Sequence, residues 1–126
     1  MNFEKVLFAF FIVLALTLNF SFFMGDMSVS SDHNSLILAA AVVINLIATI
    51  VKFGDRSQMG AVLLATSLVA VLQLLLAAGV WTWVVNISYG DLELALPTIV
   101  SLSGGALLAN LVSVTLLVAE TIIIRR

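Results

Sequence analysis

The chain has 126 residues, of which 63% are hydrophobic and only 10% charged, with a formal net charge of -2. That is too apolar for a soluble domain, whose apolar share is nearer half, and the lack of a basic arm excludes nucleic acid as a partner. With no cysteine, disulfides, thiolate metal sites and cysteine nucleophiles are excluded as well. A bilayer's hydrocarbon takes roughly 20 apolar residues per helix. The length holds four such stretches with short connections, so the reading is all-α: an integral membrane four-helix bundle in one domain, residues 1–126.

The first helix is predicted over residues 3–24. Its apolar run from Val6 to Phe23 is long for a signal peptide and lacks a small-residue cleavage site, so it is expected to be retained. Phenylalanines on several faces put it on the outside of the bundle, with the amide Asn19 toward its far end. The connection Gly25 to Asn34 carries Asp26, Asp32 and His33. His33, near Met24, Asp26, Met27 and Asp32, is a weak metal candidate, since imidazole and thioether are compatible ligands. A single histidine without ligand spacing is more often a loop residue, so no metal and no cofactor is assigned.

The second helix is predicted over residues 35–51, with Asn45 in its interior. A tight charged turn follows, Lys52-Phe53-Gly54-Asp55-Arg56, in which Gly54 suits a helix C-terminus and Asp55 or Ser57 can cap the next helix. That third helix, residues 59–84, carries Gln73 and ends in Trp81 and Trp83, followed by Tyr89, the aromatics of a membrane interface. The last connection, Val85 to Leu96, holds Asp91 and Glu93, and Pro97 fits the first turn of a fourth helix over residues 97–124.

Charge placement orients the four passes. Lys5, Lys52, Arg56, Arg125 and Arg126 all fall at one end, whereas both connections at the other end lack Lys and Arg. By the positive-inside rule both termini are cytoplasmic. Asp26, Asp32, Asp91 and Glu93 then lie on the opposite side, either as solvated loop acids or as an outer acidic mouth that attracts cations.

The fourth helix carries the most telling pattern. Ser103, Ala106, Asn110, Ser113, Leu117 and Glu120 recur at steps of three and four, while Ser101, Gly105, Ala109 and Ser113 recur at steps of four. In lipid, small residues let backbones approach and polar side chains hydrogen-bond across the gap. The row is therefore either packing glue or a pathway lining, with Glu120 snorkelling to a basic partner or ringing an inner mouth. Ala41 to Ala48 matches Ala106 to Ser113 with Asn45 set against Asn110. Such a likeness raises a parallel repeat of two helical hairpins, in which both asparagines face inward. Each span holds one amide, Asn19, Asn45, Gln73 and Asn110, and these can meet inside a bundle.

No hydrolytic, phosphoryl-transfer or dinucleotide motif is present and no intramembrane acid-base pair exists, so an enzyme is not expected. With the turn Lys52 to Arg56 and the run Ser101 to Ser113 (SLSGGALLANLVS), the chain resembles a family of small four-span bacterial inner-membrane proteins without an assigned function. That resemblance implies, through an association with potassium-uptake systems, a part in cation transport or its regulation. It brings no functional residues with it.

The expected function is a homo-oligomeric inner-membrane protein that conducts or helps conduct small, monovalent cations. One small bundle leaves little room for a cavity, so the fourth helix is expected to line an axis shared between copies. The alternative is a non-conducting accessory subunit whose small-residue face docks on a larger transporter.

Overall fold

The computed structural model describes residues 3–24, 35–55 and 57–125 of the chain. Four helices follow one another: α1 (Phe3–Phe23), α2 (Ser35–Lys52), α3 (Gln58–Thr82) and α4 (Leu92–Arg125). All four are long and apolar enough to cross a membrane, the third together with a π-helical extension, Trp83–Ile87. The protein is a multi-pass membrane protein. Asp26, Asp32, His33 and Arg56 lie outside the described residues.

The helices form an antiparallel ring in which each packs on the one before and the one after, and α4 closes back onto α1. The most extensive contact is between α3 and α4, and the paired glycines of α4 admit large side chains from α1 and α3. A Cβ at Gly104 would overlap the Phe23 ring, and one at Gly105 would overlap the Gln73 amide. Both helices therefore approach the α4 backbone to a distance that only glycine allows there.

Turn chemistry fixes the ends of α3 and α4. Ser57 caps α3 by accepting from the Gly60 N–H at 2.9 Å. Asp91 caps α4, its Oδ1 accepting from the Glu93 N–H at 3.0 Å. The fourth helix thus starts five residues before the expected position, and Pro97 sits in its second turn instead of its first. Asp91 supplies an N-terminal signal that outranks the proline. At the other side of that connection, α3 ends in the π-helical turn, with Ser88 donating to the Trp83 carbonyl at 2.9 Å and Tyr89 at φ 53°.

The expectation that α1 rides on the outside is corrected. Phe8, Ile12, Ala15, Asn19 and Phe22 form a continuous buried face at steps of three and four. Phe3, Phe10 and Phe20 are the exposed ones. Phenylalanine on every side hides the inward face from a sequence reading, because both lipid and core accept it.

Candidate functional site

Two apolar clusters fill the bundle, one above the other. Toward the acidic end, Phe22, Leu38, Leu74, Ala77 and Ile99 pack together; toward the end carrying Lys5 and Lys52, Phe8, Ile12, Ala48, Leu63 and Leu117 do so. Between them lies a polar layer. Asn19 from α1, Asn45 from α2, Ser67 from α3 and Asn110 from α4 are each 0% exposed. Every helix contributes one.

Contacts between helices set the heights of these residues. Phe23 meets Gly104, Gln73 meets Gly105, Ser113 bonds Thr66, and Lys52 lies over Phe8. At a rise of about 1.5 Å per residue, Asn19, Asn45, Ser67, Asn110 and Ser113 fall within roughly 10 Å of one another in depth. Ala15, Ala41, Ala70 and Ala106, all 0% exposed, share those heights. The amides thus have small neighbours.

The hydrogen bonding of the layer is lopsided. Thr49 donates to the Asn45 carbonyl at 2.8 Å, Thr66 to the Leu63 carbonyl at 2.9 Å, and Ser103 to the Val100 carbonyl at 2.8 Å. With the Thr66 proton spent in that way, Ser113 is the donor in the bond that joins α4 to α3. Asn45 donates its Nδ2 to the Ala41 carbonyl at 2.7 Å. That bond fixes the amide's orientation, since only the nitrogen end can satisfy a carbonyl. What is left over is mainly oxygen. Among the described residues, Asn45 Oδ1, Ser67 Oγ and both polar atoms of Asn19 and of Asn110 are buried without a hydrogen-bond partner, as is Gln73 Oε1 beside Gly105, outside the layer.

At the basic end a second buried polar group is fully engaged. Lys52 is 1% exposed; its Nζ is 3.1 Å from Asp55 Oδ2 and 4.7 Å from the centre of the Phe8 ring. Asp55 Oδ1 accepts from the Ser57 N–H at 2.9 Å and from the Ser57 hydroxyl at 2.8 Å. The Ser57 backbone N–H above all, then its hydroxyl and Lys52, hold the Asp55 carboxyl down at about 2, against partial burial that pushes it up. Gly60 is part of the arrangement, because a Cβ there would overlap the Asp55 carboxyl.

Residues 32–121 match DUF6394, a family of unknown function. The chain belongs to that family. No curated protein and no solved structure matches it. The DUF6394 region takes in Asn45, Ser67 and Asn110, whereas Asn19 precedes it.

The residues singled out in the sequence divide cleanly. Ser103, Ala106, Asn110 and Ser113 form one buried row that continues to the nearly buried Leu117, and Glu120 extends it to a half-buried position. This row points into the chain's own bundle. The outer face of α4 carries Leu108, Leu111, Val112, Val118 and Ile122, with the Thr115 hydroxyl bonded back to the Leu111 carbonyl, so a shared axis on that face would be lined mainly by apolar side chains. The expected placement of the polar row on an axis between copies is corrected accordingly: the row is buried within its own bundle, where Ser113 meets Thr66 of α3.

Of the second row, Gly105 and Ala109 are half-buried and Ser101 is exposed. Asn19, Asn45 and Asn110 are all fully buried at similar depths, and Gln73 lies outside that set. It lies one position off the buried row Leu63, Ser67, Ala70, Leu74 and Ala77. Its side chain faces a groove of about 410 Å³ between α3 and α4, shared with Pro97, Thr98, Ser101 and Leu102. Ser67 takes the place expected of Gln73. Asp91 and Glu93 are exposed at the acidic end, Asp91 serving as a helix cap.

Proposed function

We propose that this protein handles small cations within the membrane, conducting them or helping a larger transporter to conduct them, through the interior of a single bundle. One observation carries the reading. Four fully buried polar side chains, one from each helix, present unpartnered oxygen at the level where apolar clusters close the bundle above and below. A polar atom left unpaired at membrane depth costs on the order of several kcal/mol. Polar packing glue hydrogen-bonds across helices, which these atoms do not.

The membrane is a bacterial inner membrane in this reading, with both termini cytoplasmic, because the lysines and arginines collect at one end. Passage requires the cluster around Phe8 and Ile12 and the cluster around Phe22 and Leu74 to part, which is the gating step of such a pathway.

The test is cation flux from liposomes containing the protein alone. Wild-type protein is expected to pass monovalent cations, and Asn110→Leu to reduce that flux by about tenfold or more, as expected for loss of one coordinating group. Silence of wild-type protein in every salt removes conduction.

A second reading, an accessory subunit, draws on the groove beside Gln73. Thr98 and Ser101 present hydroxyls there on the outer side of the bundle, where acyl chains cannot satisfy them. Under that reading Ser101→Leu lowers co-purification with a transporter and leaves the interior untouched.

A further inference from the structure

Building on the cation-handling reading, we infer that the mid-bundle layer is a binding site for one dehydrated monovalent cation, coordinated by Asn19 Oδ1, Asn45 Oδ1, Ser67 Oγ and Asn110 Oδ1. The argument rests on which atoms are spent and which remain.

The hydroxyl protons of Thr49, Thr66 and Ser103 are committed to carbonyls of their own helices, and Ser113 donates to Thr66. Each of these oxygens keeps lone pairs. The Asn45 nitrogen is held on Ala41, so only its oxygen can turn to the centre. The nitrogens of Asn19 and Asn110 can donate to the hydroxyl lone pairs around the layer, which turns their oxygens inward too. The interior thus offers more acceptors than donors, the arrangement that suits a cation and repels an anion.

The buried set decides the charge of the ion. It contains amides, hydroxyls and one lysine, and no carboxylate among the described residues. Calcium and magnesium sites draw on carboxylate charge. A ring of neutral oxygens is how monovalent cations are taken from water without binding them too tightly to leave. Lys52 supplies no competing charge in the layer, since it lies toward the basic end and is paired with Asp55 at 3.1 Å. The alanines at the same heights are small neighbours, and the two apolar clusters exclude bulk water, which is what makes four neutral oxygens effective.

The site is tested by thermal unfolding of the full-length protein purified in detergent, followed by tryptophan fluorescence. Chlorides of lithium, sodium, potassium, rubidium and caesium are compared with N-methylglucamine chloride at constant ionic strength, and magnesium and calcium are tested alongside. A ligand that binds only the folded state raises the midpoint saturably. The expected result is a rise with a subset of the monovalent ions, chosen by size, and none with magnesium or calcium. Asn110→Leu and Asn45→Leu should weaken the apparent affinity about tenfold or more, whereas Thr115→Val, on the exposed face of α4, should leave it unchanged.

Should the leucine variants fail to fold, Ser67→Ala removes one oxygen with almost no change of shape and must still weaken the response. Midpoints identical in all salts overturn the site, as does a response that survives Asn110→Leu or Ser67→Ala. The two readings fail separately. An ion-specific rise without liposome flux keeps the site and removes conduction, and flux without any ion-specific rise does the reverse.

Discussion

The bundle buries polar side chains in two regions, and they are treated differently. At the basic end, Lys52 is sealed from solvent but has a carboxylate at 3.1 Å and an aromatic face at 4.7 Å, and Asp55 is further held by two bonds from Ser57. In the middle, Asn19, Asn45, Ser67 and Asn110 are equally sealed, yet six of their polar atoms have no partner. The first region satisfies its polar groups within the protein and so acts as a structural latch joining α2 to the start of α3. The second leaves them for something else. The same chain pairs its buried lysine a few turns away, and apart from Gln73 Oε1 the unpartnered buried side-chain atoms of the described residues all lie in the layer, which is the ground for reading it as functional.

The comparison breaks most sharply under mutation. Asp55→Ala leaves Lys52 buried without its counter-charge and also strips two bonds from Ser57. Breaking a fully buried pair costs ~3–5 kcal/mol, and with Asp55 still 18% exposed the expected loss is about 2 kcal/mol. It is read as a lower unfolding midpoint in detergent.

Acid should attack the same latch. The Asp55 carboxyl is held at about 2 in the folded protein, below the ordinary aspartate value of about 3.9 that applies when the chain is unfolded. As pH falls, the unfolded state takes up the proton first. The latch therefore contributes fully above about pH 4 and loses its contribution progressively toward pH 2. Midpoints of wild-type protein and Asp55→Ala should converge over that window. A gap that persists to pH 2 would contradict the assignment.

No loss of stability is expected where function is concentrated. Replacing an unsatisfied buried amide by an apolar group of similar shape removes its desolvation cost and is neutral to stabilising. Asn110→Leu should therefore keep or raise the unfolding midpoint in a salt of a large organic cation, while its response to small cations is lost.

These contrasts also explain what could be read from the sequence. The four spans were legible because long apolar stretches in so short a chain have few alternatives, and the inward row of α4 was legible because serines and an asparagine interrupt leucines at helical spacing. Asn19, Asn45 and Asn110 stood out as amides in apolar helices. Ser67 did not, since a lone serine in a membrane helix attracts no notice; its signal was its place in the row Leu63, Ser67, Ala70, Leu74. Gln73 misled because polarity was weighed ahead of phase. The direction of the α4 row, inward to its own bundle, depended on the matching faces of three other helices. Lys52 was hidden for a different reason: in a sequence a lysine at a helix end looks solvated, and only the fold brings its stem over Phe8.

The central claim is that the unpaired layer is kept for a cation and not for holding the helices together. Its most direct test is the unfolding midpoint of Asn110→Leu against wild type, with and without the stabilising monovalent ion. The account predicts a midpoint for Asn110→Leu at or above that of wild type in N-methylglucamine chloride, and a gain with the small cation that only the wild type shows. A variant that loses stability equally in every salt would contradict it, and would make Asn110 a structural zipper between helices.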